Sequence, residues 1–237
     1  MTGSVLAQEL ESLPAEAIID RLLSEHAQAA LRGSFCMTCS FQAEDMIVLD
    51  FLRRRLPRIP VLFLDTGYHF AETYAYRDRM VSAWNLNLQN LTAKQTVAEQ
   101  EAQLGILNRT DPSRCCHLRK VEPLFRALEG FDVWFTGLRR EQSPTRKNLK
   151  VLEHHELPSG KKLLKVSPLA SWTWGEVWRY TVENQIDFLP LYNFGYRSIG
   201  CEPCTAIPAA GADARSGRWG GRKLECGIHT ESKQENE

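Results

Sequence analysis

The sequence predicts an α/β fold: one domain with a mainly parallel sheet covered by helices on both faces. Three observations support this. Short apolar runs alternate with stretches of helical periodicity, the order that builds βαβ units. Residues 34–39 and Pro60-Val-Leu-Phe-Leu-Asp65 are short apolar runs, as buried strands are. The chain has 237 residues, 43% of them hydrophobic, enough for one core, since folds of about 200–250 residues often form a single domain.

The elements follow in order. Residues 14–31 place Ile18, Ile19, Leu22, Leu23 and Ala27 at helical spacing, which predicts an amphipathic helix. Residues 34–39 read as a strand. Residues 43–55 read as a helix with Met46, Ile47, Leu49 and Leu52 on its apolar side. Arg53, Arg54 and Arg55 suit its C-terminal end, where the helix dipole favours cations. Residues 60–65 form a second strand closed by Thr66-Gly67, and 70–84 return to helix. Residues 133–136 and 162–166 supply two more strands. Thr173 caps a helix through Val182, with Glu176 completing a capping box. Ligands of such sheets bind beyond the carboxyl ends of the strands. That rule gathers the loops after Cys39, Asp65 and Thr136 around one crevice.

From Asn193 glycine becomes frequent, periodicity fades, and Arg215, Arg218, Arg222 and Lys223 accumulate. Residues 193–237 therefore read as an irregular basic tail on the domain formed by 1–192, with a polar end at 230–237. Lysine plus arginine equals aspartate plus glutamate at 29 each, so no global charge favours nucleic acid or a membrane surface. No stretch approaches the roughly 20 apolar residues that cross a bilayer. The first twelve residues lack the pattern of a secretory signal. A cytoplasmic location is expected, and there seven cysteines point to metal binding or catalysis rather than disulfides.

Six of the cysteines are paired. Cys115-Cys116 and Cys201-x-x-Cys204 lie in polar surroundings, and four thiolates suffice to close a zinc or an iron–sulfur site. Adjacent cysteines diverge, which is awkward around one ion but suits the separated iron corners of a cubane, so the iron–sulfur reading is preferred. Cys36 and Cys39 sit three apart inside a strand, facing opposite ways, and read as core thiols. Cys226 stands alone in Glu225-Cys-Gly-Ile-His229. It is either a reactive thiol, which must ionise to attack, or a passive one; Glu225 and His229 either tune it or are merely solvated. The Ser40–Asp45 turn opens a helix and offers an anion nest, though an ordinary helix cap explains it equally. Asp65 could accept hydrogen bonds from a ribose or base, and Gly67 permits close approach, unless this is a simple turn. Arg139, Arg140, Arg146 and Lys147 place phosphate-matching forks on a loop at the crevice, where a solvated charge run is the alternative.

Together these pieces resemble the assimilatory adenylyl-sulfate reductases, relatives of the phosphoadenylyl-sulfate reductases. The matching elements are Ser40-Phe-Gln-Ala-Glu-Asp45, Leu64-Asp-Thr-Gly67, Arg114-Cys-Cys-His-Leu-Arg-Lys120, Thr136-Gly-Leu-Arg139, Pro168-Leu169 with Trp172-Thr173, Gly195–Thr205, Arg218-Trp219 and Glu225–His229. They span nearly the whole chain in the family's order. The resemblance implies an adenine-nucleotide α-hydrolase-like fold with a Rossmann-type sheet. It implies one 4Fe–4S cluster on Cys115, Cys116, Cys201 and Cys204, as in the branch that uses adenylyl sulfate. It makes Cys226 the nucleophile, with His229 and Lys120 in support. Lys120, Arg139, Arg215 and Arg218 are candidates to hold the phosphosulfate, Arg140 is a further substrate-binding candidate, and Ser40, Asp65, Thr66 and Gly67 would line the nucleotide site. Gln42 stands where the family often has glycine or another small residue, which bears on how the phosphate is approached.

The implied reaction is reduction of adenylyl sulfate to sulfite and AMP through an S-sulfocysteine on the enzyme, in sulfate assimilation toward cysteine. The reductant would be thioredoxin or a glutaredoxin-like dithiol, and a homo-oligomer is possible on this reading. Reduction of phosphoadenylyl sulfate, or of both nucleotides, is the neighbouring alternative. RNA thiolation by ATP pyrophosphatase chemistry is a distant one, because Ser40–Asp45 does not reproduce Ser-Gly-Gly-x-Asp-Ser. A non-enzymatic zinc or electron-transfer module is a third.

Overall fold

A computed structural model describes residues 3–27 and 34–229. Its order is α1 (Gly3–Leu10), α2 (Ala15–Ala27), β1 (Phe35–Thr38), α3 (Ala43–Arg55), β2 (Pro60–Asp65), α4 (Ala71–Trp84), β3 (Asn87–Thr92), α5 (Val97–Leu104), α6 (Leu107–Thr110), α7 (Pro112–Cys116), α8 (Glu122–Leu128), β4 (Val133–Phe135), β5 (Leu152–Glu156), β6 (Lys162–Val166) and α9 (Trp174–Glu183). The helix expected over 14–31 is found as α2. Its last residues, like the polar end 230–237, lie outside the described residues.

The six strands form one sheet in the order β3-β2-β1-β4-β6-β5. All neighbours are parallel except the β5–β6 hairpin at one edge. The four expected strands are the inner ones, and β3 and β5 are the two edges. Side chains alternate across the sheet. Met37, Val133 and Phe135 pack with α2, α3 and α9 residues on one face. Cys36, Leu62 and Trp134 pack with Leu124 and Leu128 of α8 on the other. Cys36 and Cys39 thus lie on opposite faces, as their spacing requires. Both are buried, and burial raises both thiols well above their ordinary range, so they are inert core groups.

Strand order reverses between β1 and β4: the chain runs outward through β2 and β3, then returns to the other side of β1. Such a switch point leaves a crevice outside the carboxyl ends of the two strands. The capping box before α9 is present, with Glu176 N–H donating to Thr173 Oγ1 at 3.2 Å and Thr173 N–H to Glu176 Oε2 at 2.7 Å. A second box at Thr96 and Glu99 starts α5. Among the described residues no helix is long and apolar enough to cross a membrane.

Candidate active site

At the switch point lies a cavity of about 330 Å³, lined by Thr38–Ser40 after β1, Thr136–Arg139 after β4, and Arg215, Arg218, Cys226 and His229 of the tail. The loops after β1 and β4 are fastened by Asp45. Its carboxylate accepts from Ser40 N–H and Oγ, both at 2.6 Å, and from Gly137 N–H at 3.1 Å. The donors of the expected anion nest are thus partly engaged by the protein's own carboxylate. Burial pushes the Asp45 carboxyl up to about 6. Gly137 is required here: a Cβ would lie 2.8 Å from Asp45 N. Gln42 bridges two walls, donating to Ser40 Oγ at 3.0 Å and accepting from Ile199 N–H at 2.8 Å.

The first cysteine pair ends α7, which Asp111 caps by accepting from Arg114 N–H at 2.9 Å. The helix continues through a π-helical stretch, His117–Val121, into α8. Pro123 has no N–H for the Arg119 carbonyl, and the wider π turn is where the helix accommodates that loss. Lys120 follows Cys116 by four residues and shares its face. The second pair sits in a tight turn, Glu202–Cys204. Its loop is tied to the segment after β2 by Glu202 N–H donating to Tyr68 O at 2.7 Å, and Thr66 Oγ1 and Cys201 Sγ share a 3.2 Å hydrogen bond.

All four thiols are buried and line one small cavity with Thr66 and Trp219. All are free thiols. Cys226 packs at the edge of the buried group formed by Cys116, Cys201, Cys204 and Trp219. Among the described residues no three Cys, His, Asp or Glu side chains converge where they could ligate one ion. A tetrahedral zinc needs its sulfurs within about 2.3 Å of a single point, whereas a cubane takes each thiolate on a different corner. The four thiols lining this cavity are a donor set suited to an iron–sulfur or a zinc site.

Two buried cations face these sulfurs. Burial alone would lower the Lys120 ammonium, but the charges of Cys201, Cys116 and Cys226 outweigh it and raise it. Burial alone would raise Cys201, but Lys120, Thr66 and Arg218 bring it down. Arg218 threads past Gly200, where a Cβ would lie 2.6 Å from its Cζ. It stacks 4.5 Å over Trp219 and donates to the Cys204 carbonyl at 3.3 Å. Burial lowers Arg218 and brings Arg215 down to about 10.

A family model described as the phosphoadenosine phosphosulfate reductase domain matches residues 34–207. The chain belongs to this family. Within it, the chain is 46% identical over 198 residues to the adenosine 5'-phosphosulfate reductase of Mycobacterium tuberculosis, covering 81% of this chain and 77% of that protein. The Streptomyces coelicolor protein of the same name is 47% identical over 197 residues, covering 82% and 81%. The Mycolicibacterium smegmatis one is 42% identical over 225 residues, covering 94% and 91%. A phosphoadenylyl-sulfate reductase from Candida auris, solved with phosphate, superposes with a TM-score of 0.70 at 25% identity, over 86% of this chain and 95% of that one. The FMN adenylyltransferase of Candida glabrata shares the fold at a TM-score of 0.60 and 14% identity, over 86% of this chain and 66% of that one.

The structure distributes the expected family site unevenly. Ser40, Lys120, Arg139, Arg215, Arg218, Cys226 and His229 all line the main cavity. Arg139 does so with its guanidinium engaged: Nε and Nη2 donate to the buried Glu44 at 3.1 and 2.8 Å. Arg140 does not line it, because its guanidinium turns outward to Glu11 and the Leu149 carbonyl. Asp65 accepts from Tyr74 Oη at 2.7 Å and Gly67 N–H at 3.1 Å, so its carboxylate serves the local turn. Gly67 packs against Val97 and Arg119, and Thr66 faces the paired thiols rather than the main cavity. Three contributors escaped sequence reasoning. His69 lines the cavity and hydrogen-bonds the Leu64 carbonyl at 2.8 Å. Lys165 is buried on β6 beside Glu153 at 3.4 Å. The Arg146–Glu225 pair joins two residues flagged only separately.

Proposed function

We infer that this chain reduces adenylyl sulfate to sulfite and AMP, with Cys226 as the nucleophile. The observation carrying this reading is the convergence of Cys226, Lys120 and Arg218 in one crevice beside four paired thiols. The relatives named adenosine 5'-phosphosulfate reductase support the substrate.

Adenylyl sulfate is a mixed anhydride bearing negative phosphate and sulfate oxygens. A thiolate attacking it meets like charge, so the site must supply cations. Lys120, Arg218 and Arg215 are the groups assigned to neutralise those oxygens and the charge growing on departing AMP; Arg139, held by Glu44, and Ser40 border the nucleotide. The Cys226 sulfur bonds to the sulfonyl sulfur, and the S–O bond to the phosphate breaks with its electron pair going to AMP. An S-sulfocysteine remains. A thiolate of an external dithiol, thioredoxin or a glutaredoxin-like protein, then attacks Cys226 Sγ, and sulfite leaves with the bonding pair. The second thiol resolves the mixed disulfide, so the dithiol is oxidised by two electrons and Cys226 is restored. His229 supports the thiol segment.

Cys115, Cys116, Cys201 and Cys204 are the residues that would hold a 4Fe–4S cluster, and holding it would tie α7 to the 201–204 turn and add to the field at Lys120. The setting proposed is the cytoplasm, and the tail from 193 onward belongs to the same domain. Reduction of phosphoadenylyl sulfate is the neighbouring reading, favoured by the fold shared with the Candida auris enzyme; parallel kinetics on the two nucleotides separate them.

The test is intact-protein mass spectrometry after mixing with adenylyl sulfate, without reductant. A sulfonate-sized addition on Cys226, absent from Cys226→Ser, is expected. A wild-type protein that releases AMP without that adduct refutes the mechanism.

A further inference from the structure

The residue before the thiol is held more tightly than the thiol itself. Glu225 takes the Arg146 guanidinium as a fork, Nε to Oε1 at 2.9 Å and Nη2 to Oε2 at 2.7 Å. Thr145 Oγ1 donates to Oε1 at 2.9 Å. Arg215 Nη2 approaches Oε2 at 3.4 Å and donates to the Leu224 carbonyl at 2.8 Å. The Arg146 and Glu225 side chains are only 11% and 12% exposed, which places this fork among the stronger charge-assisted contacts. Arg146 is braced in turn by Gln142, which also donates to Glu44 at the start of α3. Meanwhile residues 223–229 lie outside any helix or strand, so side-chain contacts must place them.

We propose that Glu225 is a positioning residue: its carboxylate latches the tail to Arg146 and Arg215 and thereby sets Cys226 over the crevice. This divides the basic groups of the site. Arg146 holds the tail, Lys120 and Arg218 face the sulfurs, and Arg215 does both, meeting Glu225 while it lines the crevice. The proposal rests on the reading of Cys226 as nucleophile, but its consequence for the position of that thiol can be measured without turnover.

The experiment is the rate of iodoacetamide alkylation at Cys226, read by peptide mass spectrometry on the complete protein without substrate. Glu225→Gln breaks the charged fork with little change of shape, and Arg146→Gln removes its guanidinium from the other side. Each is expected to speed alkylation about tenfold, the factor for losing about 1.4 kcal/mol of docking. Thr145→Val, which removes one bond, should give a smaller rise, and the Glu225→Gln/Arg146→Gln double variant no more than either single one. A purely electrostatic role predicts opposite signs: losing the anion favours the thiolate and losing the cation disfavours it. Opposite shifts, additive shifts or an unchanged rate in Glu225→Gln would overturn the latch. A missing sulfonate adduct in the wild-type protein would instead overturn the nucleophile, so the two failures are distinguishable.

Discussion

The imidazole of His229 lies flat on the indole of Trp134, with ring centroids 5.3 Å apart and planes at 17°. Trp134 belongs to β4, the strand beside the switch point, so the tail docks on the centre of the sheet beyond Cys226. Lys165 Nζ donates to the His229 carbonyl at 3.5 Å from the neighbouring strand.

This docking is pH-sensitive with a definite sign. Burial, reinforced by Lys165, Arg146, His155 and Arg215, holds His229 well below its ordinary value. The docked ring is therefore neutral, and a freed one titrates near 6.5. Protons bind preferentially to the undocked state, so the contribution is full above that pH and is lost as pH falls through and below it. The Tm of the wild-type protein should drop more between pH 7.5 and 5.5 than that of His229→Phe. Asp45, raised to about 6, acts in the opposite sense but is common to both proteins. Equal drops would show that His229 does not couple docking to pH.

Gly200→Ala should separate activity from stability. The added methyl meets the far end of Arg218, not backbone, so the side chain yields and the stability cost stays within the roughly 1–3 kcal/mol of ordinary overpacking. Displacing that guanidinium from the sulfurs should slow formation of the Cys226 adduct by about 10²-fold, the scale of losing one charge-stabilising donor. Single-turnover kinetics and thermal melting on one preparation check this; an unchanged rate places Arg218 outside the chemistry.

Cys116→Ser tests the cluster. Iron and inorganic sulfide content should fall, and Tm with them, because α7 and the 201–204 turn lose their common anchor. Substrate affinity should weaken as Lys120 loses its setting. A variant with full activity and affinity would remove the proposed role.

The strands that read clearly in the sequence are those buried on both faces. β1, β2 and β4 are largely apolar because both sides meet helices or tail, and β6 keeps Leu163, Leu164 and Val166 between its two lysines. β3 and β5 escaped notice for the opposite reason: Asn87–Thr92 is largely exposed along its length, and Leu152–Glu156 carries His154, His155 and two glutamates. Edge strands are held by backbone pairing, which leaves little mark on side-chain pattern. The capping box at Thr173 was readable because it is local; the π turn before Pro123 was not, since proline marks a break without saying how a helix absorbs it.

The sequence by itself determined the inner strands, a crevice beyond their carboxyl ends and the thiols available there, because burial and sulfur chemistry restrict residue type at each position; the strand order that puts a switch point there came from the tertiary structure. Tertiary structure alone decided which cation meets which anion. Arg139 reaches Glu44 across 95 positions, Arg146 reaches Glu225 across 79, and Arg140 turns away to Glu11 across 129. Long flexible side chains choose partners through space, so adjacent arginines on one loop carry no sign of their separate destinations. Lys120 and Arg218 are left facing the sulfurs only because the fold brings the α7–α8 helix and the tail to the same buried point.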